Sequence, residues 1–403
     1  MKIHKSLKKN ECLFLSLLLF LSFLFRVIFF PFSRDIGDLY YYEKWFNAAA
    51  DHGLRAFYKV DWAEYGVAFC DYPPFNVYFF WIFGSAAKAL TLYGTPNAVY
   101  MIKLLPTIFD AATVVLIFAF LRKRFSFKVS FVSSAVYAFN PAVILDTAVW
   151  GQFDAVYTFF LLVSLMLLIA KKPALSAAFL TLGVLTKPQG IALAPLIIYL
   201  ILKNHGLRGF LASAATAITT LFAVILPFEW SNPVTFLWNI YFGAYKYYSV
   251  TTANAFNIWA FGGLWRPENQ TFLLAGWFMF AALTVFILYI MHKALNIQGE
   301  MLILYSAFML YFGFFMLPTR IHERYMFPAL SVLVLMLPMY KKAKILYPIL
   351  TATCFINEAY VLYFLNTLKP IPSEAAWTVS LINLLMFIYA LNLMHKNFYG
   401  RKG

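Results

Sequence analysis

Long apolar runs broken by short polar or basic turns dominate the pattern from one end of the chain to the other. Apolar stretches lie at 13–32, 74–96, 98–121, 129–146, 154–170, 174–187, 188–202, 209–228, 271–292, 300–317, 327–340, 345–364 and 376–394. They are continuous rather than alternating, so they predict helices and exclude a membrane β-barrel. A spanning helix needs roughly 20 apolar residues, and most of these runs approach that length. Run 13–32 exceeds the apolar core of a cleaved signal, roughly 7–15 residues. It ends Phe29-Phe30-Pro31-Phe32 rather than in a small-residue cleavage site, so it reads as an uncleaved first helix.

Composition agrees. Of 403 residues, 63% are hydrophobic and only 12% charged, against roughly 25% charged in a soluble domain. With a mean hydropathy of +0.73 there is too little polar surface for a soluble fold and too much apolar content for disorder. The expected class is an all-α polytopic membrane protein forming one integral membrane domain over 1–403, with no internal repeat. Cys12, Cys70 and Cys354 lie too far apart to suggest a disulfide framework.

The net charge of +15 tempts a nucleic-acid reading, but its placement argues otherwise. Nineteen of the 32 basic residues fall in clusters between apolar runs, at Lys2/Lys5/Lys8/Lys9, Arg122/Lys123/Arg124/Lys128, Lys171/Lys172, Lys203/Arg208, Lys293, Lys341/Lys342/Lys344 and Lys396/Arg401/Lys402. Lys and Arg collect in cytoplasmic loops. Placing every cluster inside gives 12 crossings with both termini cytoplasmic, provided 74–96, which opens Pro73-Pro74 and holds Gly84 and Lys88, lies in-plane or re-entrant. The bilayer, not nucleic acid, is the partner this charge implies.

The remaining polar groups then converge on the outer face. External loop 33–72 carries seven acids: Asp35, Asp38, Glu43, Asp51, Asp61, Glu64 and Asp71. Leu39, Tyr42, Phe46, Ala49 and Gly53 recur in it at helical spacing, predicting an amphipathic helix lying along the membrane surface. Asp38 at its start reads either as the helix N-cap or as a carboxylate held at the mouth of a membrane cavity, fit to act as a general base. Asp71-Tyr72-Pro73-Pro74 reads either as a Pro-initiated helix with an acid in its first turn or as a second carboxylate facing the same cavity. External loop 229–270 holds four tryptophans and a Tyr-Lys-Tyr-Tyr run.

Three outer turns add chemistry. Trp150-Gly151-Gln152-Phe153-Asp154 is an interfacial aromatic turn, or a sugar-binding one in which Gln152 and Asp154 take hydroxyls and Trp150 stacks on the C–H face. Lys187 joins apolar pieces of about 14 and 13 residues, each short for a bilayer. It either snorkels from a helix end or sits below the surface awaiting an anion. Arg320-Ile321-His322-Glu323-Arg324 is either a structural ion pair or a phosphate site, for which arginine supplies a planar donor fork. Arg26, Asp110 and Glu358 fall inside apolar runs, where buried pairing, snorkelling and function all remain open. No His/Cys/Asp spacing marks a metal site. No cofactor is expected, although two outer carboxylates leave room for a divalent ion.

Carboxylates, sugar-type groups and cations beside a membrane cavity suit glycosyl transfer from a lipid-phosphate sugar. The phosphate leaves as a stable anion, so one base suffices where a glycosidase needs an acid as well. Gly37-Asp38…Trp45, Asp71-Tyr72-Pro73-Pro74, Gln152-x-Asp154 and Ile321-His322-Glu323-Arg324 also follow the motif order of the endoplasmic-reticulum glucosyltransferases that extend the dolichol-linked oligosaccharide. The chain thus resembles the glycosyltransferase C superfamily over about 34–328, with a prokaryotic or mannosyltransferase-type relative equally in view. It departs at Arg320 (His in that family), Arg324 (Lys) and Asp154 (Asn).

The resemblance implies an inverting transferase moving a hexose from a polyprenyl- or dolichyl-phosphate sugar to a glycan or lipid-linked acceptor. Asp38 would be its base and His322 its phosphate contact. The membrane is expected to be the plasma membrane with an outward site, the endoplasmic reticulum being the alternative. A polysaccharide polymerase or ligase, centred on the later basic loops, and a lipid-linked-saccharide flippase are the competing classes.

Overall fold

A computed structural model describes residues 9–32 and 37–399. Asp35 of the first external loop and the basic residues at the extreme termini lie outside the described residues. The chain is helical throughout: α1 (Lys9–Phe29), α2 (Asp38–Ala56), α3 (Pro74–Ala89), α4 (Ala98–Arg122), α5 (Phe127–Ala138), α6 (Pro141–Ile144), α7 (Asp154–Ile169), α8 (Pro173–Thr186), α9 (Ala194–Ile225), α10 (Pro233–Tyr247), α11 (Gln270–Met316), α12 (Phe327–Met336), α13 (Ala343–Thr367) and α14 (Ser373–Met394). Among the described residues only isolated β-bridges occur, and no strands.

Seven helical stretches are long and apolar enough to cross a bilayer, and an eighth is formed by 127–150, bent by 46° at its break. The protein is a multi-pass integral membrane protein. The other four of the twelve expected crossings fall on shorter helices, α7, α8 and α12, and on 188–225, which Gly206 (φ +62°) divides in two. Every residue of α12 is buried, so it forms the centre of the bundle rather than a lipid-facing wall. α3 packs on α2 and does not qualify as a span.

At one end of the bundle Arg122 and Arg124 are tied to acids of other helices. Arg124 grips Glu300 through two hydrogen bonds of 2.6 Å each, and Arg122 pairs with Glu11 at 3.2 Å. Inside the apolar layer Arg26 meets Asp110 at 3.1 Å, both about 1% exposed. Tyr137 and Thr147 donate to the same carboxylate, at 2.9 and 2.7 Å, and Arg26 also reaches the Ala138 carbonyl at 2.7 Å. Buried pairing is thus what holds Arg26 and Asp110, and it joins α1, α4, α5 and the π-helical turn Leu145–Trp150.

At the opposite end α2 buries Leu39, Tyr42, Trp45, Phe46, Ala48 and Ala49, the face its periodicity predicts. Tyr42, Trp45, Tyr72, Phe80 and Phe153 interlock there with ring centroids 4.6–6.1 Å apart, a spacing at which aromatic pairs attract. This aromatic plug fixes α2 against the start of α7.

Candidate active site

Asp38 is the first residue of α2, but Gly37 holds the capping position and no side chain caps the helix. The N-cap reading of Asp38 is therefore corrected. Its carboxylate instead accepts a 2.5 Å hydrogen bond from Gln152 Nε2. The other end of that buried amide is fixed by the Tyr42 hydroxyl, which donates to Gln152 Oε1 at 2.6 Å. Tyr42 has only one proton to give, so the 3.0 Å contact between the Tyr42 and Tyr72 hydroxyls has Tyr72 as donor. The chain Tyr72→Tyr42→Gln152→Asp38 points one amide N–H at the carboxylate and holds it in place.

The turn carrying Gln152 depends on a glycine. Gly151 adopts φ +86°, and its N–H and that of Gln152 both donate to the Asp146 carbonyl, at 3.0 and 2.9 Å. A Cβ at 151 would lie 2.9 Å from Leu39 Cδ2 and 3.1 Å from Lys103 Cγ. Gly151→Ala is expected to destabilise the protein by about 1–3 kcal/mol and to lower activity together with Tm. An unchanged melting curve for the purified variant would contradict this.

Beside this chain lies a buried ionic cluster. Asp154, the first residue of α7, is fully buried and takes Lys187 Nζ at 2.7 Å and Arg324 Nε at 3.5 Å on one oxygen. Arg324 also grips Glu323 at 2.5 Å. Lys187 is 4% exposed, so it is paired within the protein, and the snorkelling reading fails. Lys187 lies 5.6 Å from the Tyr72 ring and Arg324 5.6 Å from that of Trp150, both within cation–π range.

A cavity of about 400 Å³ opens onto these groups. Its lining includes the polar side chains of Asp71, Tyr72, Lys187, His322 and Arg324 and the apolar or aromatic ones of Ile191, Tyr241, Phe242, Trp277 and Phe314. His322 stands edge-on to Tyr248 at 4.8 Å. Burial, reinforced by the charges of Arg324 and Lys187, pushes its pKa well below 6.5. His322 is therefore neutral and offers a hydrogen bond rather than a charge.

Burial, and then the charge of Asp38, raises the Asp71 carboxyl to about 6. Below that pH Asp71 is neutral, and above it the carboxylate adds a negative charge to the cavity. An anionic ligand such as a lipid phosphodiester, whose own charge is constant in this range, is expected to bind more weakly as pH rises through about 6. Asp71→Asn should bind tightly throughout. Titration by fluorescence competition at pH 5 and 7.5 checks this, and an identical slope in both proteins would refute it.

The sequence-derived candidates separate into three groups. Asp71, Tyr72, Lys187, Arg320, His322 and Arg324 line the cavity. Asp38, Gln152, Asp154 and Glu323 stand just behind it, tied in through the contacts above. Trp150 is 1% exposed and packs with Leu145, Val361 and Leu362, so no sugar reaches its ring, and its indole backs Arg324 instead. Arg320 is bound through two guanidinium nitrogens to Glu268 and through the third to the Tyr245 carbonyl at 2.6 Å. It fastens loop 229–270 to the site and has little donor capacity left for a phosphate.

Asp146 was not anticipated. It is fully buried, and neither carboxylate oxygen has a partner among the described residues. Its position within the apolar Ile144-Leu145-Asp146-Thr147 stretch was the available signal, because an acid inside a membrane run marks a functional candidate. Glu358 is likewise buried, with Cys354 Sγ at 3.2 Å and one oxygen unpartnered. Among the described residues no group of three or more His, Cys, Asp or Glu is arranged to hold a metal.

No family model matches the chain, and no curated protein matches it. Solved structures of the Archaeoglobus fulgidus oligosaccharyltransferase are similar over most of its length. The apo form gives a TM-score of 0.49 at 13% identity, covering 97% of this chain and 56% of that one. The form tethered to an acceptor peptide containing the NVT sequon gives 0.44 at 13% identity, covering 97% of this chain and 55% of that one. The complex of that protein, AglB, with an inhibitory peptide and a dolichol-phosphate gives 0.42 at 13% identity, covering 96% of this chain and 56% of that one. This chain spans little more than half the length of those proteins. At such scores and identity the likeness assigns neither family nor activity.

Proposed function

We propose that the protein is an inverting glycosyltransferase of the glycosyltransferase C type. It would take a hexose from a polyprenyl- or dolichyl-phosphate sugar and pass it to an acceptor hydroxyl on the non-cytoplasmic face of the membrane. The observation carrying this reading is one cavity lined by both cations and apolar side chains. Lys187, Arg324 and neutral His322 would meet a phosphate, and the apolar lining residues the first isoprene units of its tail. Asp38, oriented by Gln152, stands just behind this lining.

In the reaction the acceptor oxygen attacks the sugar's anomeric carbon from the face opposite the phosphate. The acceptor proton passes to the Asp38 carboxylate as the new C–O bond forms. The bond from carbon to phosphate oxygen breaks with inversion, and the lipid phosphate departs as an anion. Lys187 and Arg324 stabilise the charge gathering on that oxygen, which is worth most in a site shielded from water. No acid is required for so stable a leaving group.

The test is sugar transfer by purified protein from a panel of radiolabelled polyprenyl-phosphate sugars, with membrane extract as the acceptor source. Consumption of one donor with release of lipid phosphate supports the reading. If none is consumed, the reading is rejected in favour of a polymerase or flippase.

A further inference from the structure

A second cavity of about 270 Å³ lies on the far side of the His322 segment, between the stretch following α10 and the turn joining α13 to α14. Asn254, Trp265, Ile371, Ser373 and Trp377 line it, and none of its lining residues is charged. The two cavities share a wall. Ala253 and Asn254 form β-bridges with His322, and Ala253 N donates to the Ile321 carbonyl at 2.9 Å. His322 lines the first cavity and Asn254 the second.

The backbone here is held in an unusual state. Asn254 has φ +68° and Trp265 φ +57°. Asparagine tolerates that region, whereas a bulky side chain rarely adopts it. Three bonds keep the pair there. Trp265 Nε1 donates to Asn254 Oδ1 at 2.8 Å, Trp265 N donates to the Thr252 carbonyl at 3.0 Å, and Asn357 Nδ2 donates to the Asn254 carbonyl at 2.8 Å. Backbone held so by its surroundings is characteristic of ligand sites.

The side chains specify the ligand. Trp265 and Trp377 line the cavity and are each 45% exposed. The Asn254 Nδ2 donates no hydrogen bond among the described residues, and Ser373 lines the same cavity. An indole face suits the C–H face of a pyranose ring, and the amide and hydroxyl suit its hydroxyl groups. Tryptophans anchor many membrane proteins at the interface, but anchoring requires neither a buried amide between them nor a left-handed tryptophan. The absence of charge disfavours a phosphate.

We propose that this second cavity is a saccharide subsite seating a neutral hexopyranose ring of the acceptor glycan. The word acceptor rests on the transferase reading, while the sugar site itself does not. The experiment is saturation-transfer NMR of the full-length protein in nanodiscs, with methyl α-D-mannopyranoside and methyl α-D-glucopyranoside as probes. At least one glycoside is expected to show transfer in the wild type. Trp377→Ala should weaken its affinity by about tenfold or more, and Trp377→Tyr should recover most of the loss. Excess farnesyl phosphate, directed at the first cavity, should leave the signal intact.

The proposal is overturned if neither glycoside shows transfer, if Trp377→Ala binds like the wild type, or if farnesyl phosphate displaces the sugar. Donor consumption is measured separately. A protein that binds glycoside through Trp377 but consumes no lipid-phosphate sugar keeps the subsite and loses the transferase reading, and the reverse result loses only the subsite.

Discussion

Asp38→Asn is expected to lower kcat for sugar transfer by about 10²–10⁴-fold, the range a positioned general base supplies, while leaving yield unchanged and donor binding no weaker than in the wild type. The structure explains why the two effects separate. Asp38 caps no backbone group, so the helix loses only the dipole interaction of a first-turn carboxylate, roughly 0.3–1 kcal/mol. Asparagine keeps an oxygen where Gln152 Nε2 now donates at 2.5 Å, so the chain through Tyr42 and Tyr72 survives. What disappears is the capacity to take a proton, together with the negative charge that Asp71 feels. Asp38→Ala would instead strand the Gln152 amide and confound base loss with disorder of the turn. Turnover at saturating donor, beside direct donor binding, makes the measurement. Equal kcat in wild type and Asp38→Asn would remove Asp38 from the chemistry and turn attention to Asp71. With Asp38 as base, Asp71→Asn alters donor binding and its pH dependence but keeps kcat within a few-fold.

The part of this site legible in the sequence was the part governed by local periodicity. Leu39, Tyr42, Phe46 and Ala49 show the buried face of α2 because helical spacing alone decides which side chains share a face. Basic clusters at segment ends predicted which breaks lie together, and for one such pair of breaks Arg124 meets Glu300, 176 residues away in sequence. What stayed hidden depends on pairings between distant segments. Lys187 between two short apolar pieces looks like a snorkelling lysine until Asp154 is found 2.7 Å away. Trp150 looks like a sugar platform until Val361 and Leu362 cover it. Arg320 and Arg324 are equivalent in sequence, yet Glu268 occupies one while Asp154 and Glu323 hold the other at the cavity. No local pattern carries that information, because a carboxylate's partner is set by tertiary packing.

The buried cluster gives a second large effect, and a double substitution divides its structural from its functional share. Lys187→Met should destabilise the protein by about 3–5 kcal/mol, the usual result of removing one partner of a buried pair. Asp154, with no exposure, would keep only Arg324, at 3.5 Å and already shared with Glu323. Adding Asp154→Leu removes the stranded charge, and replacing both members of a buried pair by apolar groups is often neutral. The double variant should therefore regain most of the lost Tm. It should not regain donor binding, because the cavity has lost Lys187, Arg320 is already held by Glu268, and an apolar residue cannot face a phosphate. Tm and lipid-phosphate affinity, measured on wild type, single and double variants, thus move together in the first step and apart in the second. If affinity returned with Tm, Lys187 would be only the counter-ion of Asp154, and Arg324 with neutral His322 would have to hold the phosphate alone.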